Sequence, residues 1–314
     1  MENMKAVRIH NYGGPEVLRF EDAPRPTAGS GELLIKVHAA AVNAIDWKIR
    51  AGYLKDVFPV PLPFIPGWDV SGVVEAVGPA VTKFKTGDEV YARPDVARSG
   101  RGTYAEYAVV NETEAALKPK SIDHIHAAAI PVVALTAWQA LFDKAGLSKD
   151  QRILIHGAAG GVGSFAVQLA KWKEAYVIGT ASGRNQEFLR ELGVDEPIDY
   201  EKNRFEDVVH DIDVVVDTLG GETQNRSWKV LKKGGILVSI VAPPSADEAA
   251  RHSVRAAFFS AQPSSAQLTE IAKLVDAGKL KPVVETVLPL SEARRAQELN
   301  EAGHARGKIV LKVA

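Results

Sequence analysis

Apolar residues recur in two different rhythms along this chain. Up to about residue 120 they come in short runs rich in β-branched side chains, at 6–9, 33–37, 70–77, 89–92 and 104–110. Glycine-containing turns separate the runs, at Gly29 and Gly31, Gly78-Pro79, Gly87-Asp88, and Gly100 and Gly102. Short strands between such turns predict an antiparallel barrel or sandwich. One helix interrupts them over 46–50, with Asp46 able to cap its start and Gly52 its end. The stretch 94–102 reads as a mobile loop.

From about 121 to 260 the rhythm changes. A long alanine-rich helix is predicted over 127–142, a buried strand over 153–155, and an amphipathic helix over 162–172. Strands at 176–179, 214–216 and 236–241 follow, with a helix at 187–192 between the first two. Continuous apolar strands joined by helices predict a parallel, doubly wound sheet. Helices at 265–277 and 291–301 and a strand at 308–313 end the chain. The reading is an α/β protein with a β-rich domain over 1–120, completed by 261–314, and a doubly wound domain over 121–260.

The junction of the strand at 153–155 and the helix at 162–172 carries the most specific chemistry. It reads Gly157-Ala-Ala-Gly160-Gly161-Val162-Gly163. Gly157 lets the chain turn at the strand end, and Gly160 and Gly161 let backbone N–H groups approach a pyrophosphate. Gly163 lets the helix pack on the strand. The helix N-terminus adds partial positive charge, so the turn predicts a dinucleotide site. The next strand ends near Thr180-Ala-Ser182-Gly183-Arg184 without the acid that holds an NAD ribose. Ser182 and Arg184, with Tyr200 beyond the third strand, suit a 2′-phosphate, so NADPH is the expected coenzyme. Leu219-Gly220 and Val241-Ala242 follow later strands, at carboxyl ends where open α/β sheets bind ligands.

Composition changes the picture by exclusion. The 314 residues hold 38 Lys and Arg, 39 Asp and Glu, and no cysteine. A net charge of −1 gives no basic excess to recruit nucleic acid or an anionic membrane. Without cysteine there is no disulfide, thiolate metal site or cysteine nucleophile. No apolar run reaches the roughly 20 residues that span a bilayer, and the expected location is cytoplasmic. The histidines form no metal pattern; His124 and His126 are expected at the surface and His156 beside the glycine turn. No G-x-S-x-G elbow supports a hydrolase.

Taken together, the motifs resemble the zinc-free quinone oxidoreductase (zeta-crystallin-like) branch of the medium-chain dehydrogenase/reductase superfamily. They are Asn43-Ala-Ile-Asp46-Trp-Lys48-Ile-Arg50-Ala-Gly52, Pro66-Gly67-Trp68-Asp69-Val-Ser-Gly72, Gly87-Asp88-Glu89-Val90-Tyr91, Gly102-Thr-Tyr-Ala-Glu106-Tyr107, Leu135-Thr136-Ala137-Trp138, the glycine turn, and Arg306-Gly307-Lys308. The resemblance implies a GroES-like catalytic domain formed by both chain ends, enclosing a Rossmann domain, and homodimers paired through Rossmann edge strands. Zinc relatives carry cysteine where Asn43 stands and histidine where Trp68 stands, and neither replacement is a useful zinc ligand. The implied activity is metal-free hydride transfer from NADPH to a quinone or α,β-unsaturated carbonyl.

By the same resemblance, Asn43 contacts nicotinamide or substrate, and Asp46 lies at the cofactor site or caps its own helix. Lys48 stabilises an enolate oxygen or is a solvated helix lysine, and Tyr53 is a second donor candidate. Thr136 contacts the nicotinamide end, Phe259 and Ser260 wall its pocket unless Phe259 belongs to the core, and Arg306 and Lys308 reach the cofactor from the tail. Two other readings stay open at this level. One is an enoyl-thioester reductase; the other is a low-turnover NADPH-binding protein with a structural or RNA-binding role.

Overall fold

The computed structural model describes residues 2–303 and 305–314. Strands β1 (Asn3–Ile9) and β2 (Leu18–Pro24) form an antiparallel pair. They are followed by β3 (Glu32–Ala41), helix α1 (Ala44–Arg50), β4 (Val70–Val77), β5 (Glu89–Ala92), α2 (Val96–Ser99), β6 (Tyr107–Asn111) and β7 (Ala115–Leu117). Then come α3 (His124–Ala128), α4 (Pro131–Trp138), β8 (Arg152–Ile155), α5 (Gly161–Trp172), β9 (Tyr176–Ala181), α6 (Gln186–Glu191), β10 (Glu196–Asp199) and β11 (Ile212–Asp217). The chain closes with α7 (Gly221–Ser227), β12 (Leu231–Ser239), α8 (Ala246–His252), β13 (Arg255–Phe258), α9 (Ser265–Asp276), β14 (Val284–Pro289), α10 (Ala293–Glu301) and β15 (Lys308–Lys312).

Two compact units divide the chain. The first comprises Met1–Val132, Gln262–Gly278 and Pro282–Ala314; the second comprises Val133–Ala261 and Lys279–Lys281. The first boundary therefore falls inside α4, beyond residue 120. In the first unit a seven-stranded sheet runs β14-β15-β3-β4-β5-β7, with β6 also paired to β3. β3 alternates poorly because both its faces are covered, and Leu33, Ile35, Val37, Val70, Val74, Val90 and Val110 pack as one core. The tail enters this sheet through β15, which pairs antiparallel with β3 and parallel with β14.

The second unit holds a six-stranded parallel sheet in the order β10-β9-β8-β11-β12-β13. Strand order reverses between β8 and β11, the switch point where such sheets bind ligands. The glycine turn leaves the carboxyl end of β8, one of the two strands at that reversal.

Local detail departs from the sequence pattern in places. The helix expected over 127–142 is broken into α3, α4 and a π-helical turn over Gln139–Lys144. Pro131 has no N–H to continue α3, so the chain restarts there. The loop at 94–102 is not bare coil: Asp95 caps α2 through the Arg98 N–H, and Val96 is buried. His124 is not a surface residue. Its ring lies 4.4 Å from that of His38, its Nδ1 meets Ser71 Oγ at 2.8 Å, and burial lowers its pKa.

Candidate functional site

β8 delivers its backbone to Gly157, which sits at φ +64, where a Cβ would come within 2.6 Å of Thr218 Oγ1. At Gly163 a Cβ would lie 2.2 Å from the Gly157 carbonyl oxygen and 2.7 Å from Ala158 Cα. These two glycines are what bring α5 down onto the strand end. Gly160 is the N-cap of α5 and no side chain caps that end. The first N–H groups of a helix have no partner within it, and here no Ser, Thr, Asp or Asn claims them. The turn therefore fits a diphosphate, with bare amides and the positive helix end facing the same space.

Behind the turn, His156 is buried between Thr180 Oγ1 (3.2 Å) and Ser227 Oγ (2.9 Å). Burial lowers its pKa to about 4, so it is a neutral packing group. At the end of β9, Ser182 Oγ accepts from Asn185 Nδ2 at 3.1 Å, while Arg184 and Tyr200 are exposed. The segment 180–184 has no acid of its own, but β10 pairs with β9 so that Asp199 stands opposite Ala181. The Gly183 N–H donates to Glu201 Oε2 at 3.0 Å. Two carboxylates thus border the edge assigned to a 2′-phosphate.

At the ends of β11 and β12, one buried carboxylate shapes both loops. Asp217 Oδ1 accepts from the N–H groups of Leu219 (3.0 Å) and Gly220 (2.8 Å). Its Oδ2 accepts from Ser239 Oγ (2.9 Å) and Gln224 Nε2 (2.8 Å). Ser239 Oγ in turn accepts weakly from Val241 and Ala242. The structure thus places the glycine turn, Ser182, Leu219-Gly220 and Val241-Ala242 at carboxyl ends of adjacent parallel strands. Thr136 is buried in α4. Phe259 and Ser260 follow β13, and Lys144 Nζ lies 5.7 Å from the Phe259 ring.

The first unit contains a different cluster. Asn43 precedes α1, so that helix begins earlier than Asp46, which instead reaches back to the Asn43 N–H (2.8 Å). Asp46 also accepts from the Gly67 N–H (3.0 Å) and the Tyr104 hydroxyl (2.9 Å). Burial raises its pKa to about 7 against these hydrogen bonds. Lys308 Nζ donates to Asn43 Oδ1 (2.5 Å), the Val42 carbonyl (2.8 Å) and Asp69 Oδ2 (3.3 Å). Asn43 Nδ2 donates to Asp69 at 2.8 Å, and the Val132 N–H to Asp69 Oδ1 at 2.7 Å. Burial pushes Asp69 up and Lys308 down, each opposed by the other's charge. Asn43, Asp46 and Lys308 are thus joined in one buried network with polar atoms committed to protein partners. Lys48 and Tyr53 are not part of it. Lys48 Nζ lies 5.7 Å from the Trp47 ring, and Tyr53, 73% exposed, meets Trp47 edge-on. The Arg306 N–H donates to Glu285.

Sequence reasoning passed over Asp69, Tyr104, Asp217 and Glu201. Asp217 had a usable signal, an acid ending an otherwise apolar strand. The others depend on partners distant along the chain.

A GroES-like β unit and a Rossmann unit in one chain define the class of protein. Residues 29–120 match the family model described as alcohol dehydrogenase GroES-like domain, and residues 192–311 that described as zinc-binding dehydrogenase. The mouse mitochondrial NAD(P)H oxidoreductase RTN4IP1 is 40% identical over 99% of this chain and 89% of its own length. The chloroplastic NADPH-dependent alkenal/one oxidoreductase of Arabidopsis thaliana is 38% identical over 99% and 80%. The structure of the quinone oxidoreductase from Coxiella burnetii has a TM-score of 0.92 at 36% identity, covering 100% of both chains. The chain belongs to the medium-chain dehydrogenase/reductase superfamily, in its quinone oxidoreductase branch.

The zinc in one of those descriptions does not fit the residues present. The Asn43 carbonyl already accepts from Lys308 Nζ, and Trp68 offers no lone pair to a metal. Among the described residues no group of three or more His, Cys, Asp or Glu is arranged to hold a metal ion. No helix of the described residues is long and apolar enough to cross a membrane.

Proposed function

We propose that this protein is an NADPH-dependent oxidoreductase that reduces a quinone or an α,β-unsaturated carbonyl without a metal. The observation that carries the reading is the uncapped N-terminus of α5 at the switch point of a parallel sheet, entered through Gly157 and packed through Gly163. Its relatives named for NADPH, alkenal/one and quinone chemistry support the coenzyme and the acceptor class.

Bound coenzyme supplies a hydride. The amides of Gly161, Val162 and Gly163 hold its diphosphate, and Gly160 keeps the approach clear. Ser182, Arg184 and Tyr200 hold the 2′-phosphate. Leu219, Gly220, Val241 and Ala242 line the strand ends, and Thr136, Phe259 and Ser260 border the nicotinamide. Asp46 and Lys308 act from within the buried network, where they fix Asn43 at the start of α1. Lys48 is the group assigned to the acceptor oxygen, where an ammonium stabilises developing negative charge and releases a proton. Tyr53 is the alternative donor. A conjugated acceptor spreads the incoming charge onto its own oxygen, so orientation and one donor replace a Lewis acid.

A homodimer and a cytoplasmic location complete the reading. The edge strand β13 carries an outer backbone edge with no partner strand among the described residues, which suits pairing with a second copy.

The test is NADPH consumption with a simple quinone and an alkenal, with NADH as control. Turnover of at least one acceptor with NADPH preferred is expected. Calorimetry showing no association with either coenzyme would sink the reading. Light scattering tests the dimer.

A further inference from the structure

Arg93, just after β5, is 7% exposed. Its backbone N–H reaches the Glu114 carbonyl, but its guanidinium has no hydrogen bond or ion pair with any of the described residues. Its Nε is a fully buried donor without an acceptor. The guanidinium lies 5.4 Å from the centre of the Trp68 ring, and Trp68 is itself 5% exposed with its indole N–H equally unpartnered. Among the described residues, two neighbouring buried donors, Arg93 Nε and the Trp68 indole N–H, therefore have no acceptor.

Nearby acids do not resolve this. Asp69, Asp95 and Glu114 act on Arg93 through their charge, yet none lies within ion-pair distance. Each is engaged elsewhere: Asp69 with Lys308 and Asn43, Asp95 with the Arg98 N–H, and Glu114 with the Asn111 N–H. Leaving a buried charged donor unmatched costs more than leaving a neutral one, so such a group calls for an explanation. The corner also adjoins the chain just beyond Lys48 and Tyr53, the two residues assigned to the acceptor oxygen. Trp68 packs in one cluster with Ile49 and Phe64, against Leu54, Phe58 and Val60.

We propose that Arg93 and Trp68 form an anion-binding corner of the acceptor site, and that the preferred acceptor is an enone bearing a carboxylate. The guanidinium fork matches a carboxylate in two parallel hydrogen bonds, which a lysine or a neutral donor cannot reproduce. The indole N–H adds a neutral donor, and the ring covers the carbon skeleton. This inference rests on the hydride-transfer reading above.

The experiment compares acetylacrylate with its methyl ester as acceptors for NADPH. Wild-type protein should favour the acid by about tenfold or more in kcat/KM, mainly through KM. Arg93→Met should bring the acid-to-ester ratio towards unity, and Arg93→Lys should retain part of the preference. Independently of turnover, the saturated acid levulinate should bind the wild type in calorimetry and lose about tenfold in affinity on Arg93→Met. Equal use of acid and ester by the wild type, or undiminished levulinate binding to Arg93→Met, would overturn the proposal. If neither acceptor consumes NADPH, the functional reading fails, and levulinate binding still decides the role of Arg93.

Discussion

Single side chains at the end of β9 decide coenzyme choice in this reading. Arg184 favours the phosphorylated ribose, while Glu201, bonded to the Gly183 amide, opposes a second anion at the same edge. Arg184→Ala is expected to weaken NADPH about tenfold more than NADH, and Glu201→Gln to raise the NADPH-to-NADH preference. Titration calorimetry with both coenzymes measures each ratio; equal losses for Arg184→Ala would remove it from the phosphate pocket. The sequence showed Arg184 and the missing acid of its own segment. It did not show Glu201, because that carboxylate arrives from the turn after the next strand.

His156 gives a pH signature. Its pKa falls from about 6.5 to about 4 on burial, so the unfolded chain binds the extra proton between those values. Stability linked to this group is present above pH 6.5 and is lost as the pH falls towards 4. Asp46, raised to about 7, works in the opposite direction over much of that range, so the total slope understates either group. The comparison with His156→Gln isolates one of them. Urea titrations should show the wild type losing about 2 kcal/mol relative to that variant between pH 7 and pH 5. A difference independent of pH would mean that His156 is not held neutral.

At the scale of elements, the junction of β8 and α5 is the most constrained local structure. A side chain at Gly163 meets backbone atoms of Gly157 and Ala158 that cannot rotate away. Gly163→Val should therefore push α5 off the strand, costing about 1–3 kcal/mol or more in stability. Coenzyme affinity should fall with it, since the same helix end supplies the amides. Thermal denaturation with and without NADPH checks both, and a normal coenzyme-induced rise in Tm would count against the turn as the diphosphate cradle. Helix α4 teaches the converse lesson. Apolar residues fill most of 127–142, but Pro131 breaks the hydrogen-bond ladder that periodicity takes for granted.

Over the whole molecule, the most distant joins are made by the chain's last strand. Lys308 bonds Val42 and Asn43 across sequence separations of 266 and 265 residues, and β15 pairs beside β3. Lys308→Met would leave Asp69, fully buried, without its counter-charge. A loss of about 3–5 kcal/mol is expected from breaking such a pair. Urea denaturation measures it; a loss under about 1 kcal/mol would show that Asp69 is protonated in the folded protein and needs no cation.

The sequence alone determined the change from β-rich to alternating structure, the glycine turn and the positions of most strands. These features follow from steric limits on the backbone and from side-chain periodicity, both acting over a few neighbouring residues. Tertiary structure alone decided which polar groups meet. It set Glu201 on Gly183, buried the Lys308 ammonium between Asn43 and Asp69, and left the Arg93 Nε without an acceptor among the described residues. Such encounters depend on strand register and on the return of the tail to the sheet. Burial then fixes their energetics, and neither can be read from one segment of the chain.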